Sequence, residues 1–526
     1  MITIEPGWAG GKADAVTQTV GMPLERVAPE AVGVPVRSLD ALLGRVRSRH
    51  LNLHSLLIIR HGRLVAELYW QPYGPDTLHR MYSVSKSFAG VAIGFCVDAG
   101  MIRLDDKIIS YFGELVPDDV HPWTAAMTVE HLLTMSTAHG FSTYKQTEDT
   151  DLVRTYFTVP PTRPPGRLFA YDTSASVVLS ALIERVTGRS MTAFLQEQLW
   201  TPLGCEHPLR AMKTPTGLPR DHAGSSPWWR EVEDNPAGVD HAGSGILCTP
   251  RDLARFALFC LAGGRVDGRQ LLSAEYVRAA TSRRVGTGPR LGADPYDDPG
   301  YGYQFWRTPY YGFACQGMGG QLALVHPDDD LVVVTTADDQ LTGDANDTLS
   351  RAVWDELLPK LTDPDSAADD HETGRFFGQL PAVLPYDDTD SDRLRWVEQV
   401  DRSVEFEPNT LGLRALDIAS GPDAGRLKLI TDRGDLDFCF GLGRWQSITF
   451  GEYGYPALAI GWWDSADRLR LSFRIHGNYL GSVEMILVFA PDGSITVQMI
   501  KAAEAFLEHY QGIATSRPAD SPPMND

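Results

Sequence analysis

The sequence predicts an α/β fold: an antiparallel sheet flanked by helices and interrupted by a helical subdomain, then a second domain that is antiparallel and β-rich. Three observations carry this expectation. Runs of branched apolar residues that read as strands occur early and late, near 55–70 and 321–336, with helix-period stretches between them. Beyond residue 380 the pattern turns to apolar/polar alternation. At 526 residues the chain also exceeds the size at which a single hydrophobic core stops growing.

Residues 1–35 are rich in Pro, Gly and Ala and read as an extended arm, leading to a helix over Ser38–Arg49. A hairpin follows, with SLLIIR and LVAELYW as its arms and His61-Gly62 as its turn. Helical periodicity runs from Ser85 to Ala99 and recurs at 174–187 and 250–262. A second strand pair spans Gln321–His326 and Leu331–Thr336, joined by a turn over Pro327–Asp330. This order describes a sheet whose first and last strands meet, in a domain spanning 36–365. From Asp363 to Asp392 acidic residues face the single basic residue Arg375 before position 393, so residues 366–380 read as an acidic linker. The domain at 381–515 alternates at Leu436/Phe438/Phe440, Leu469/Leu471/Phe473/Ile475, Val483/Met485/Leu487/Phe489 and Ile495/Val497/Met499. A short helix over Ala502–Tyr510 and a polar tail at 516–526 complete the expectation.

Charge narrows the function. The chain holds 47 Lys plus Arg against 68 Asp plus Glu, a net −21, which repels phosphate backbones and anionic lipid. Nucleic acid and membrane surfaces are therefore not expected partners. The six cysteines are scattered without CxxC spacing, so no zinc site or redox motif is expected, and no cofactor. The first 20 residues lack a basic and apolar leader pattern, and the longest apolar run, Phe88–Val97, stops at Asp98. A cytoplasmic location is the expectation.

The chemistry concentrates at Ser83 and Lys86, an S-x-x-K pair where the apolar-periodic helix begins. Residues three apart share a helix face, so the amine can reach the hydroxyl. A serine hydroxyl needs an adjacent base to act as nucleophile, and a buried lysine of lowered pKa can supply one. The helix N-terminus adds N–H groups suited to a developing oxyanion. Ser142 and Lys145 repeat the spacing, but in a polar loop. Tyr171 precedes a helix and can aim a phenol into a cleft, its phenolate form favoured beside an ammonium. The glycine-rich Cys315-Gln316-Gly317-Met318-Gly319-Gly320 stretch runs into a strand, where backbone can approach a substrate closely.

These segments, in this order, resemble the serine β-lactamase and DD-peptidase superfamily, including class C β-lactamases, family VIII carboxylesterases, 6-aminohexanoate-dimer hydrolases and D-aminopeptidases. The resemblance covers about residues 35–360 and includes Thr128–Thr137 and the stretch from Gly243 to Phe256. It implies a β-lactamase/transpeptidase-like domain in which Ser83 is acylated, Lys86 takes its proton and Tyr171 shuttles protons to the leaving group. It further implies an oxyanion hole made by the backbone N–H groups of Ser83 and Met318.

Two departures bear on substrate. Thr173 stands where the family has an Asn, and Cys315 stands where its K-T-G element has a Lys that pairs with a carboxylate. Aromatic residues of 301–313, with Trp228 and Trp229 in a lid-like stretch, suit a neutral, bulky or aromatic group. The expected pocket residues are Trp228, Trp229, His241, Tyr303, Trp306, Gln316, Gly317 and Gly319. The reading is a serine esterase or lactonase acting on a small molecule. Its alternatives are an amide or peptide hydrolase of the aminohexanoate or D-aminopeptidase type, and an acylated sensor with little turnover. A homo-oligomer is compatible with the C-terminal domain.

Overall fold

The computed structural model describes residues 24–49, 51–149, 151–212, 239–288, 298–340, 345–363, 382–384, 399–451, 454–476, 480–503, 507 and 509–519. They fall in two compact units, one ending at Leu384 and the other taking the residues from 399 onward.

In the first unit the strands are β1 (Leu53–Arg60), β2 (Arg63–Trp70), β3 (His79–Arg80), β4 (Arg210–Ala211), β5 (Ile246–Cys248), β6 (Arg265–Val266) and β7 (Arg269–Gln270). They continue with β8 (Trp306–Arg307), β9 (Phe313–Gly317), β10 (Gln321–His326), β11 (Leu331–Ala337) and β12 (Ala382–Leu384). The main sheet runs β12-β2-β1-β11-β10-β9-β8. Its first and last long strands meet as expected, with Leu57 opposite Val334.

Both faces of this sheet are covered, which is why SLLIIR reads as a continuous apolar run. Leu57 and Ile59 enter one core with the helix Val84–Asp98, while Leu56 and Ile58 enter another with the helix Val36–Ser48. The helix Val84–Asp98 is buried from Val84 through Cys96, consistent with apolar residues on every face. Asp172 caps the helix Thr173–Thr187 by accepting from Ser174 N at 3.0 Å, and Gly188 ends it with φ 69°.

A small sheet, β3-β5-β4, ties distant segments to the start of the Val84–Asp98 helix. Arg80 lies opposite Leu247, and Met81 N donates to Ile246 O at 2.9 Å. Of the expected arm, residues 24–35 pack onto the domain: Val32 and Val34 are buried, and an Arg26 guanidinium pairs with the buried Glu67 carboxylate, while residues 1–23 lie outside the described residues.

The second unit is an antiparallel β-rich sheet of ten strands between Val400 and Thr515, with one parallel contact. Its alternation places Phe438, Phe440, Leu469, Leu471, Phe473, Val483, Met485 and Leu487 in the interior. Two expectations are corrected. Ala382–Leu384 pairs in parallel with β2, so it extends the first unit's sheet rather than opening the β domain. Ala502 belongs to the ladder opposite Ser482, and Tyr510 sits in a turn, so the described part of 502–510 is not helical. The linker at 366–380 lies outside the described residues, as does most of the tail. No helix among the described residues is long and apolar enough to cross a membrane.

Candidate active site

Ser83 occupies the N-cap position of the Val84–Asp98 helix, at φ −68° and ψ −6°, and its side chain makes no capping bond. The hydroxyl is therefore available for other chemistry. The residue before it, Tyr82, is fully buried at φ 45°, a conformation rarely adopted outside turns and strained sites. Arg80 stacks its guanidinium 4.2 Å from the Tyr82 ring centroid, one of the contacts that over-determine this turn.

Lys86, one turn on, is buried. Its Nζ lies 3.0 Å from Ser83 Oγ and donates to Gly243 O at 2.5 Å. Gly243 is thus part of the site through its carbonyl. A Cβ there would stand 2.2 Å from Thr173 Cγ2 and 2.9 Å from His241 Cε1, so only glycine lets the carbonyl reach the lysine.

Tyr171 completes the cluster. Its hydroxyl shares a hydrogen bond with the Ser83 side chain, and Lys86 Nζ sits 4.8 Å from its ring centroid. Burial pushes the phenol pKa well up and the bond to Ser83 pulls it only partly back. The resting group is a phenol, which corrects the expected phenolate: desolvation outweighs the neighbouring amine, which lies over the ring face.

The Gly317 backbone closes the other side. A Cβ on Gly317 would stand 2.3 Å from Met81 O and 3.2 Å from Ser83 N, so the end of β9 lies directly against the turn that carries Ser83. Among the described residues, neither the Ser83 N–H nor the Met318 N–H donates to a protein acceptor. Both remain available to an incoming oxygen.

The remaining expected pocket residues divide. Trp306 stacks on Tyr171 with ring centroids 5.6 Å apart at 18°, and Phe169 and Tyr301 back it at 5.7 and 5.0 Å. Gln316 is half-buried and pairs opposite Leu322. Gly319, at φ 78°, turns the chain beside Asp339. Tyr303 is not a pocket residue: its hydroxyl donates to Glu130 Oε1 at 2.6 Å and its ring packs on Tyr276 within the core. Trp228 and Trp229 lie outside the described residues. Cys315 faces the core and hydrogen-bonds Ser87, so this position presents no cation to the pocket. Ser142, of the second S-x-x-K, accepts from Thr173 N at 3.1 Å and serves as a loop tie.

His241 is buried with its pKa pushed down to about 3, first by desolvation and then by Lys86, Arg80 and Lys145. It is neutral at physiological pH, and Nδ1 accepts from Ser244 N at 3.1 Å. Asp172, next to Tyr171, is buried, and desolvation raises its carboxyl to about 6. Among the described residues no group of three or more His, Cys, Asp or Glu is placed to hold a metal ion.

Sequence reasoning reached Ser83, Lys86, Tyr171 and Trp306 but missed the Gly243 carbonyl and Phe169. The Gly243-Ser244-Gly245 spacing is the available signal for the first.

The chain is similar to several known proteins. The chain is 26% identical over 352 residues to 6-aminohexanoate-dimer hydrolase of Paenarthrobacter ureafaciens, covering 62% of this chain and 84% of that protein. It is 27% identical over 207 residues to Esterase EstB of Burkholderia gladioli, covering 34% of this chain and 53% of the esterase. The fold matches a penicillin-binding protein homologue from Caulobacter crescentus with TM-score 0.50 at 21% identity, over 64% of this chain and all of that one. The Beta-lactamase family model matches residues 44–357, more than half of the sequence, and the chain belongs to the Beta-lactamase family, with a 6-aminohexanoate-dimer hydrolase and an esterase among its relatives.

Proposed function

We propose that the protein is a serine hydrolase that cleaves a carboxylic ester or lactone through an acyl-enzyme at Ser83. The observation that carries this is the Ser83–Lys86–Tyr171 cluster, with 3.0 Å between Lys86 Nζ and Ser83 Oγ. Ser83 Oγ bonds to the substrate carbonyl carbon while its proton passes to Lys86, which acts as a neutral amine. The carbonyl oxygen, now an oxyanion, takes the N–H groups of Ser83 and Met318. Collapse breaks the bond to the leaving alkoxide, which receives a proton through the Tyr171 phenol. Water then attacks the acyl group by the reverse relay and frees Ser83.

The core-facing Cys315 and the aromatic wall of Trp306 and Phe169 support a neutral substrate with a bulky or aromatic group. A second reading, an amide hydrolase, is favoured by the 26% identity with 6-aminohexanoate-dimer hydrolase across 84% of that protein. The experiment is a panel of p-nitrophenyl esters, lactones, linear amides and nitrocefin, run with wild type, S83A and K86A. Ester or lactone turnover at least tenfold above amide turnover, abolished in S83A, is the expected result. Preferential amide cleavage establishes the second reading, and full activity in S83A removes both.

A further inference from the structure

Gln304 is fully buried and adopts φ 66°, in the left-handed region that long side chains avoid unless their surroundings hold them there. Its polar groups are all engaged. The backbone N–H donates to Leu133 O at 3.0 Å, and Nε2 donates to Leu132 O and Leu133 O at 3.0 and 2.9 Å. Its backbone O accepts from Ser87 Oγ at 2.7 Å, and Oε1 accepts from Ser176 Oγ at 2.7 Å.

The donors identify what this residue joins. Ser87 directly follows Lys86 on the helix that begins after Ser83, and Ser176 lies on the helix that begins after Tyr171. Ser87 also hydrogen-bonds the Cys315 thiol, on the strand that leads into the Met318 N–H. A glutamine that merely satisfied loop carbonyls would use Nε2 alone. Here its two acceptor oxygens take one hydroxyl from each helix that presents a member of the Ser83–Lys86–Tyr171 cluster. Both serines are buried, so each hydroxyl pays a desolvation cost unless its partner is present.

We infer that Gln304 is a positioning residue that sets the separation between Ser83–Lys86 and Tyr171 by holding their two helices through Ser87 and Ser176; this rests on the acyl-enzyme reading above. It acts through the spacing of other groups and does not touch substrate. Hydrogen-bonded constellations of this kind are sensitive to small shifts, a displacement of about 1 Å costing about 100-fold in rate.

The test reads nucleophile reactivity without needing the natural substrate. A fluorophosphonate labels an activated serine: Ser83 Oγ bonds to phosphorus, the P–F bond breaks, fluoride leaves and the hydroxyl proton passes to Lys86. The second-order labelling rate constant is measured by mass spectrometry for wild type, S176A, Q304M, the double variant and S180A. Ser180 is a buried serine on the same helix and controls for simple loss of packing.

S176A and Q304M each lower the rate constant at least tenfold, while the double variant is no slower than Q304M, because both remove one link. S180A labels within twofold of wild type. Labelling of S176A within twofold of wild type overturns the inference, as does an S180A loss as large as that of S176A. S176A decides the matter alone if Q304M does not fold. Absence of labelling at Ser83 in wild type itself defeats the acyl-enzyme reading and this inference together, a result distinct from the first.

Discussion

Gly317→Ala is a one-methyl change whose consequence the structure constrains tightly. The added Cβ would stand 2.3 Å from Met81 O, 3.0 Å from Gln321 Cβ and 3.2 Å from Ser83 N. An ordinary carbon–oxygen contact is about 3.3–3.6 Å, so the strand end and the Ser83 turn must part by about 1 Å. No flexible side-chain tip can swing aside, because the nearest obstacle is backbone. The strand end is itself held, since Asn346 Nδ2 donates to Gly317 O at 2.8 Å and Gly317 pairs with Gln321. The shift therefore falls on the Ser83 and Met318 N–H groups. Losing one oxyanion donor costs about 10²–10³ in kcat, and overpacking costs about 1–3 kcal/mol of stability. The assay is initial-rate hydrolysis of p-nitrophenyl butyrate, normalised to active sites, beside thermal unfolding. A loss of 10²–10³ in kcat with a modestly lower Tm is expected. A G317A enzyme with kcat within threefold of wild type would refute the assigned oxyanion hole.

Trp306→Ala removes the ring stacked on Tyr171, a contact worth about 0.5–1.5 kcal/mol. It should lower kcat/KM about two- to tenfold for aromatic esters and less for acetyl esters, with W306F recovering most of the loss; equal losses on both substrates would remove Trp306 from specificity. Asp172 makes stability fall with rising pH. Its folded pKa of about 6 exceeds the ordinary aspartate value of 3.8, so the native state holds the proton more tightly across that window. The cost of the buried charge is absent below about pH 4 and complete above about pH 6.5, reaching about 3 kcal/mol. D172N should therefore gain Tm relative to wild type as pH rises from 4.5 to 6.5, and a pH-independent difference would contradict the buried-charge reading.

The readable parts of the molecule were those with local signatures. Ser83 and Lys86 are three residues apart on one helix, so spacing alone predicted their contact. The β1–β2 hairpin and the alternating strands after 400 are fixed by periodicity and turn residues. The rest depends on distance in the chain or on conformation. The carbonyl that holds Lys86 belongs to a glycine 157 residues away, and a backbone oxygen leaves no trace in a side-chain pattern. The aromatic run at 301–306 does not say which rings face the site, because the left-handed turn at Gln304 breaks any strand alternation. Trp306 consequently reaches Tyr171 while Tyr303 points to Glu130. Cys315 was legible as the loss of a cation, but its orientation towards Ser87 required the β9–β10 register. Ala382–Leu384 is too short for periodicity to register, and only the open edge of β2 gives it a place.

The measurement that tests the central claim most directly is mass spectrometry of the enzyme during ester turnover, with peptide mapping of the adduct. The account predicts one acyl group per chain on the peptide containing Ser83, formed at a rate consistent with kcat, and no adduct in S83A. Turnover that proceeds with Ser83 unmodified, or an adduct confined to another residue such as Ser142, would contradict it.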